Sequence, residues 1–254
     1  MSTVGSGFFK LFPQHESFEC NIPYIGNLIR GIPVSTRPAV ENKELENLII
    51  KHVPRDALMA CEDAYYSGDQ KGRLHSAAFL SGHRPSAAGQ NKHFFINESF
   101  HEALQVHGAE PTPLRGTRLV LGRFGIFNIA RLNVPGHKWV NLRRSATRKK
   151  LAELNTHIER KYVQGDLFAA PRNVAEGTIF VVGVMDGVDE SGIAQLTQVM
   201  VALPAPNMKS WLYISTVADF LKLYDQLDSV SQPDNAVPTL KVQPKKQTDN
   251  DNGN

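Results

Sequence analysis

The pattern of hydrophobic and polar residues in the first part of the chain changes at residue 38. Residues 1–37 contain many Gly, Pro and aromatic residues without a clear period, so they predict irregular structure. Residues 38–54 carry apolar side chains at helical spacing between two prolines, and this pattern predicts a helix. Residues 56–68 predict a second, shorter helix that ends at Gly68.

The next segment is more polar. Residues 69–108 mix Gly, Ser, Asn and His with short apolar pieces, a composition typical of loops. We expect one short strand there, at residues 94–96, followed by a helix near residues 98–106.

The second half of the chain contains strand patterns that come in pairs. Residues 117–134 are rich in β-branched and aromatic residues and are interrupted by glycines, so they predict two strands or one bent strand. Residues 178–185 and 193–203 predict a hairpin joined by an Asp- and Gly-rich turn, and residues 211–214 predict a further strand. Because the strands come as hairpins and not as regular strand–helix–strand units, we expect an α+β fold with an antiparallel sheet built from hairpins and several packed helices.

Two helices of the second half have recognisable starting signals. Ser145 predicts the N-cap of a helix that continues to Val163 and is closed by Gly165. Thr216, with Asp219 three residues later, resembles a capping box at the start of the last helix.

The composition divides the chain into three regions. We expect an N-terminal helical and irregular region at residues 1–110, a basic α+β core at 111–228 and a disordered, polar tail at 229–254. With 254 residues, 41% of them hydrophobic, the chain is long enough to bury a substantial core.

Cysteine content and hydropathy indicate the compartment. Cys20 and Cys61 are too few for a disulfide framework, and the apolar neighbours of Cys61 predict a buried thiol in a reducing compartment. Neither a signal-peptide pattern nor an apolar run long enough for a bilayer is present in the sequence. We therefore expect a soluble, cytoplasmic protein without membrane association.

Charge is distributed unevenly along the chain. Residues 111–152 contain ten of the 28 Lys and Arg residues and no Asp or Glu, although the whole chain has a net charge of only +3. Such clustering favours an anionic partner. Several of these cations surround the start of the helix that Ser145 caps, where the helix dipole is already positive, so a bound phosphate is a physical explanation for their position.

Aromatic residues alternate with cations just before that helix. Bases that stack on aromatic rings beside a cationic groove are typical of binding to single-stranded nucleic acid with little sequence preference. We therefore expect a non-catalytic nucleic-acid-binding protein, with single-stranded DNA or RNA favoured and with no cofactor or metal. The expected binding residues are Arg115, Arg118, Arg123, Phe124, Phe127, Arg131, Lys138, Trp139, Arg143, Arg144, Arg148, Lys149 and Lys150.

Two other interpretations stay open on the sequence. The cations can form a solvated face beside aromatic residues that belong to the core, and the hairpins can build an oligomer interface, including a homo-oligomer. Alternatively, the protein is an enzyme that acts on a phosphate-containing substrate through the histidine-rich region. In that case a pair such as His75 and His101, with Glu98 or Glu102, would act as general acid and base. The other histidines of the region are His83, His93 and His107, and their spacing matches no zinc motif.

Overall fold

The computed structural model describes residues 39–116, 118–136, 139–163 and 176–228. The predicted irregular segment 1–37, the tail 229–254 and Gly165 lie outside these residues. The described part contains helices α1 (Ala39–His52), α2 (Arg55–Ser76), α3 (Arg84–Val106), α4 (Ala146–Glu153), α5 (Thr156–Tyr162) and α6 (Val217–Asp228) and a 3-10 helix (Trp139–Arg144). Its strands are β1 (Leu121–Phe124), β2 (Phe127–Pro135), β3 (Gly177–Val188), β4 (Ala194–Pro204) and β5 (Trp211–Thr216).

The five strands form one mixed sheet in the order β1-β2-β3-β4-β5. The predicted hairpin β3–β4 is antiparallel, as are the pairs β1–β2 and β4–β5, but β2 and β3 run parallel. The predicted α+β class is therefore confirmed, and the expectation of a purely antiparallel sheet is wrong. The reason is the connection between β2 and β3, because two parallel neighbours need a long crossover and here the 3-10 helix, α4 and α5 provide it.

Helices α2 and α3 form a long antiparallel hairpin, although the sequence predicted mostly loops for residues 69–108. The predicted strand at 94–96 lies inside α3, and Gly68 lies inside α2 instead of ending it. A Cβ atom at Gly68 would lie 2.6 Å from the Ile96 backbone, and one at Gly72 would lie 2.5 Å from Lys92 Cγ. These glycines let the two helices approach closely, which explains why they are in the helix.

The sheet has a hydrophobic core on each face. On one face, strand residues such as Phe127, Ile129 and Val181 form a cluster with buried side chains of α1, α2, α3 and α6. On the other face, residues including Leu132 and Phe180 pack with α4 and the 3-10 helix. The first cluster contains residues from both of the regions, 1–110 and 111–228, into which the composition divides the chain. Cys61 is buried in it, as the sequence predicted, and burial raises the pKa of its thiol to about 12.

The predicted helix from Ser145 to Val163 is interrupted at residues 154 and 155. Asn155 is fully buried there, and its side-chain amide donates to the carbonyl oxygens of Thr178 at 3.0 Å and Pro204 at 2.8 Å. Its Oδ1 accepts a hydrogen bond from the Thr178 amide at 2.7 Å. These bonds attach the crossover to the start of β3 and to the end of β4. The predicted helix is therefore interrupted at Asn155 and forms two helices, α4 and α5.

Within the described residues, no helix is both long enough and apolar enough to cross a bilayer.

Candidate anion-binding cleft

A cleft of about 740 Å³ lies beside β2, where the strand is no longer paired with β1. The β1–β2 register ends at the pair Leu121 and Ala130, and the next three residues of β2 line the cleft. Helix α3, residues 112–115 and 118–121, and the start of α4 form its other walls. The polar lining residues are His93, Asn97, Thr112, Arg115, Arg118, Arg131, Asn133, Ser145, Thr147 and Arg148.

The charge of the cleft has one sign. Four arginines line it, and no Asp or Glu is present among the described lining residues. Arg115 and Arg118 are exposed at the mouth, Arg148 is half-buried at the start of α4, and Arg131 lies at the base on β2. The cleft therefore has a positive potential that its low-dielectric walls strengthen.

Arg131 is only 3% exposed and has neutral partners. Its Nε donates to Asn97 Oδ1 at 2.6 Å, and its Nη1 donates to Asn133 Oδ1 at 3.1 Å. Its Nη2 donates to the carbonyl oxygen of His93 at 2.9 Å and lies 2.9 Å from His93 Nδ1. Within the described residues, no carboxylate forms an ion pair with it. Burial lowers the pKa of the guanidinium, and the charge of Arg148 acts in the same direction. Arg131 thus holds a buried positive charge for which the described part of the chain provides no counter-charge, an arrangement that costs free energy unless an anion is bound nearby.

The start of α4 adds backbone donors to the cleft. Ser145 caps the helix as predicted, since its Oγ accepts from the Arg148 amide at 3.4 Å. Ser145, Thr147 and Arg148 all line the cleft. First-turn N–H groups lack partners within a helix and carry a partial positive charge, so they favour an anion at this position. Burial lowers the pKa of Arg148.

The structure separates the predicted binding residues into three groups. Arg115, Arg118, Arg131 and Arg148 meet in the cleft. Phe124 and Phe127 are buried in the core, so they are not available for base stacking. The other predicted cations that the structure describes do not line the cleft. Arg123 Nε donates to the Gly125 carbonyl oxygen at 3.0 Å, and Arg143 Nε donates to the Met208 carbonyl oxygen at 3.0 Å. Arg144, Lys149 and Lys150 are exposed. Lys138 and the Trp139 side chain lie outside the described residues.

His75 and His101, the example pair of the enzyme hypothesis, lie at different places on the helix pair. His75, at the end of α2, contacts Phe95 with ring centroids 4.7 Å apart. His101 lies six residues further along α3, a rise of about 9 Å and on a different side of the helix. Of the five histidines, His93 is the one that lines the cleft. Burial lowers the pKa of His93, and the charge of Arg131 lowers it further.

Three residues of the cleft were not among the binding residues expected from the sequence. Asn97 and Asn133 hold the Arg131 guanidinium, and His93 was considered only as a catalytic group. Neutral amides carry no charge signal, and Asn97 is separated from Arg131 by 34 positions. A signal for Arg131 itself did exist, because it follows Phe127 and Ile129 at the two-residue period of a buried strand face.

Within the described residues, no group of three or more His, Cys, Asp or Glu side chains is arranged to hold a metal ion. Comparison with known protein families, with curated proteins and with solved structures found no match to this chain. The site geometry alone therefore supports the functional argument.

Proposed function

We propose that this protein binds single-stranded nucleic acid without catalysis and that a backbone phosphate occupies the arginine cleft. The observation that carries the proposal is Arg131, a buried cation whose described partners are all neutral. A phosphate beside it would supply the missing negative charge. Arginine guanidinium groups and helix N-terminal amides are both preferred phosphate ligands, and the cleft combines them.

The shape of the cleft favours a single strand over a duplex. Arg131 is recessed behind the exposed Arg115 and Arg118, so a phosphate must enter the cleft to approach it. A single strand can bend one phosphate inward, whereas a DNA duplex is stiff, with a persistence length of about 50 nm. The exposed Lys149 and Lys150 follow Arg148 on α4 and extend the positive surface outside the cleft. Because they lie outside the cleft, they would add long-range attraction and not a direct phosphate contact.

The contacts of His93 support a binding role instead of proton transfer. Its Nδ1 faces the Arg131 guanidinium at 2.9 Å. A guanidinium only donates, so Nδ1 accepts and the ring is held neutral. A ring held in this way positions Arg131, and it is a poor general acid.

Fluorescence anisotropy tests the proposal with labelled single-stranded DNA, single-stranded RNA and duplex DNA over a salt series. Two double variants remove the same charge from different places. Arg115→Ala with Arg118→Ala removes two exposed cations that line the cleft, and Lys149→Ala with Lys150→Ala removes two exposed cations outside it. Each lost phosphate contact reduces the salt slope by about one unit.

We expect tight, salt-sensitive binding of single strands by the native chain. The cleft variant should lose about two units of slope, and the Lys149 and Lys150 variant should lose less. Equal losses for the two variants would indicate a diffuse basic surface and contradict the cleft. Absence of binding to all three nucleic acids at low salt would overturn the proposed function.

A further inference from the structure

A second recess of about 160 Å³ adjoins the arginine cleft and shares Asn97 and Arg115 with it. Its other lining residues are Phe94, Glu98, Leu114 and Gly116. It therefore differs in chemistry from the cleft, because it combines an aromatic ring, an aliphatic side chain and a carboxylate.

The apolar side chains of the recess are exposed. Phe94 and Leu114 are each 44% exposed, although both are large hydrophobic residues. Phe94 contacts His93 edge-on, with ring centroids 5.6 Å apart, so one neighbour already limits its movement. An exposed, oriented aromatic ring next to a phosphate site is the arrangement on which unpaired bases stack.

Glu98 is the feature that a phosphate site does not explain. It lies one turn after Phe94 on α3, and within the described residues its carboxylate forms neither a hydrogen bond nor an ion pair. A carboxylate beside the cleft repels phosphate, so its presence reduces the affinity of the cleft for a simple anion. It stabilises a ligand that presents N–H donors at this position.

We propose that the recess binds a nucleobase of the same strand, with guanine preferred. This inference rests on the proposed function, since the phosphate in the arginine cleft would deliver the base to the recess. Phe94 and Leu114 contact the faces of the base, and Glu98 accepts hydrogen bonds from its edge. Guanine presents two adjacent donors, N1–H and the 2-amino group, which match the two carboxylate oxygens. Adenine and cytosine present one amino group, and thymine presents one N–H between two carbonyl oxygens that the carboxylate repels.

The test compares labelled dT8 with an otherwise identical strand that carries a single central dG, at one fixed salt concentration. We expect the dG strand to bind the native chain about tenfold more tightly than dT8. Glu98→Gln should abolish this preference and leave the affinity for dT8 unchanged or higher, because a negative charge is removed. Glu102→Gln, one turn further along α3 at an exposed position outside the recess, is the matched control and should keep the preference.

A second variant separates stacking from hydrogen bonding. Phe94→Leu keeps an apolar side chain beside His93 but removes the aromatic face, so it should weaken both strands by about the factor of ten that one lost stacking contact represents. Equal binding of dT8 and the dG strand by the native chain, with steep salt dependence, would overturn the base site and leave the proposed function intact. A dG preference that Glu98→Gln retains would also overturn it. Binding of neither strand would overturn both proposals.

Discussion

Arg131 and His93 are joined twice, because Nη2 of the guanidinium lies 2.9 Å from both the carbonyl oxygen and Nδ1 of the histidine. The two residues are 38 positions apart, on β2 and α3. Asn97, one turn later on α3, completes the contact by accepting from Arg131 Nε at 2.6 Å. Helix α3 therefore holds the buried cation of the cleft in one orientation. Because these contacts need a neutral imidazole, the protonation of His93 is coupled to folding.

Acidification should destabilise the folded protein through His93. Burial, together with the charge of Arg131, lowers the pKa of His93 below its ordinary value of 6.5. The unfolded chain therefore takes up a proton first as the pH falls, so the His93 contribution is complete above about pH 6.5 and decreases below it. Urea unfolding measured between pH 8 and pH 5 should show this decrease.

His93→Gln is the control for this experiment. Its amide oxygen can accept from Arg131 but does not titrate, so the free energy of unfolding should fall less steeply below pH 6.5 than in the native chain. His52, whose pKa burial also lowers, contributes equally to both proteins. Identical pH profiles for the two proteins would contradict the role of His93.

A buried ion pair connects the two long helices. Lys92 on α3 is almost fully buried, and its Nζ lies 2.6 Å from Asp69 Oδ1 on α2 and 2.6 Å from the Ala194 carbonyl oxygen on β4. Replacing Lys92 with Met keeps the volume but leaves the buried carboxylate without this cation. We expect Lys92→Met to lower the free energy of unfolding by about 3 kcal/mol in chemical denaturation.

The matched control is Lys222→Met, which removes a cation from the exposed pair with Asp219. Water already screens that pair, so its loss should cost less than about 1 kcal/mol. Similar losses for the two variants would show that burial does not determine the contribution of the Lys92 pair.

Local signals in the sequence predicted most element types correctly. Helix α1, the β3–β4 hairpin and the caps at Ser145 and Thr216 are confirmed, and Thr216 Oγ1 accepts from the Asp219 amide at 3.0 Å. In each case residues within one element or one turn determine the structure. The parallel pairing of β2 and β3 depends on a crossover of about 40 residues, and strand patterns alone do not contain that information.

Helix α3 shows why the loop prediction was wrong. Its buried stripe passes through Ala88, Lys92, Ile96 and Phe100, a regular spacing of four. One of the four is charged, and Gly89 and Asn91 lie close by, so the composition resembles a loop although the period is helical. The pair with Asp69 is what allows Lys92 to take a core position, and it is visible only in three dimensions.

The candidate site was predictable in its charge and not in its arrangement. The four arginines that line the cleft all come from the acid-free segment at residues 111–152. Burial of Phe124 and Phe127 removes two of the expected stacking residues. The exposed ring that adjoins the cleft, Phe94, comes from a segment that the sequence placed in a strand between loops.

The hydroxyl of Tyr65 connects α2 to the sheet. It lies 2.7 Å from the carbonyl oxygens of Leu132 and Val181 and accepts from the Leu132 amide at 3.0 Å. Burial raises the pKa of this fully buried phenol. Tyr65→Phe should cost about 1–3 kcal/mol, because the Leu132 amide is left without this partner in the interior.

Tyr66→Phe is the neighbouring control, since Tyr66 is exposed on the same helix. Its free energy of unfolding should stay close to that of the native chain. Denaturation curves of the two variants, recorded under the same conditions, give the comparison. If Tyr65→Phe were as stable as Tyr66→Phe, the hydroxyl bridge would not contribute to stability.

Because α2 and α3 approach closely at Gly72 but not at Gly89, we expect Gly→Ala substitutions at these two positions to change stability in opposite directions. At Gly72 a Cβ atom would lie 2.7 Å from the Lys92 backbone nitrogen, so the helices must separate and stability should fall by about 1–3 kcal/mol. At Gly89, inside α3, a Cβ atom would meet nothing within 4 Å. There the alanine should raise stability by about 0.5–1 kcal/mol, because glycine loses more backbone entropy in a helix. Thermal unfolding of both variants measures the sign directly, and a stabilised Gly72→Ala protein would contradict the observed packing of the helix pair.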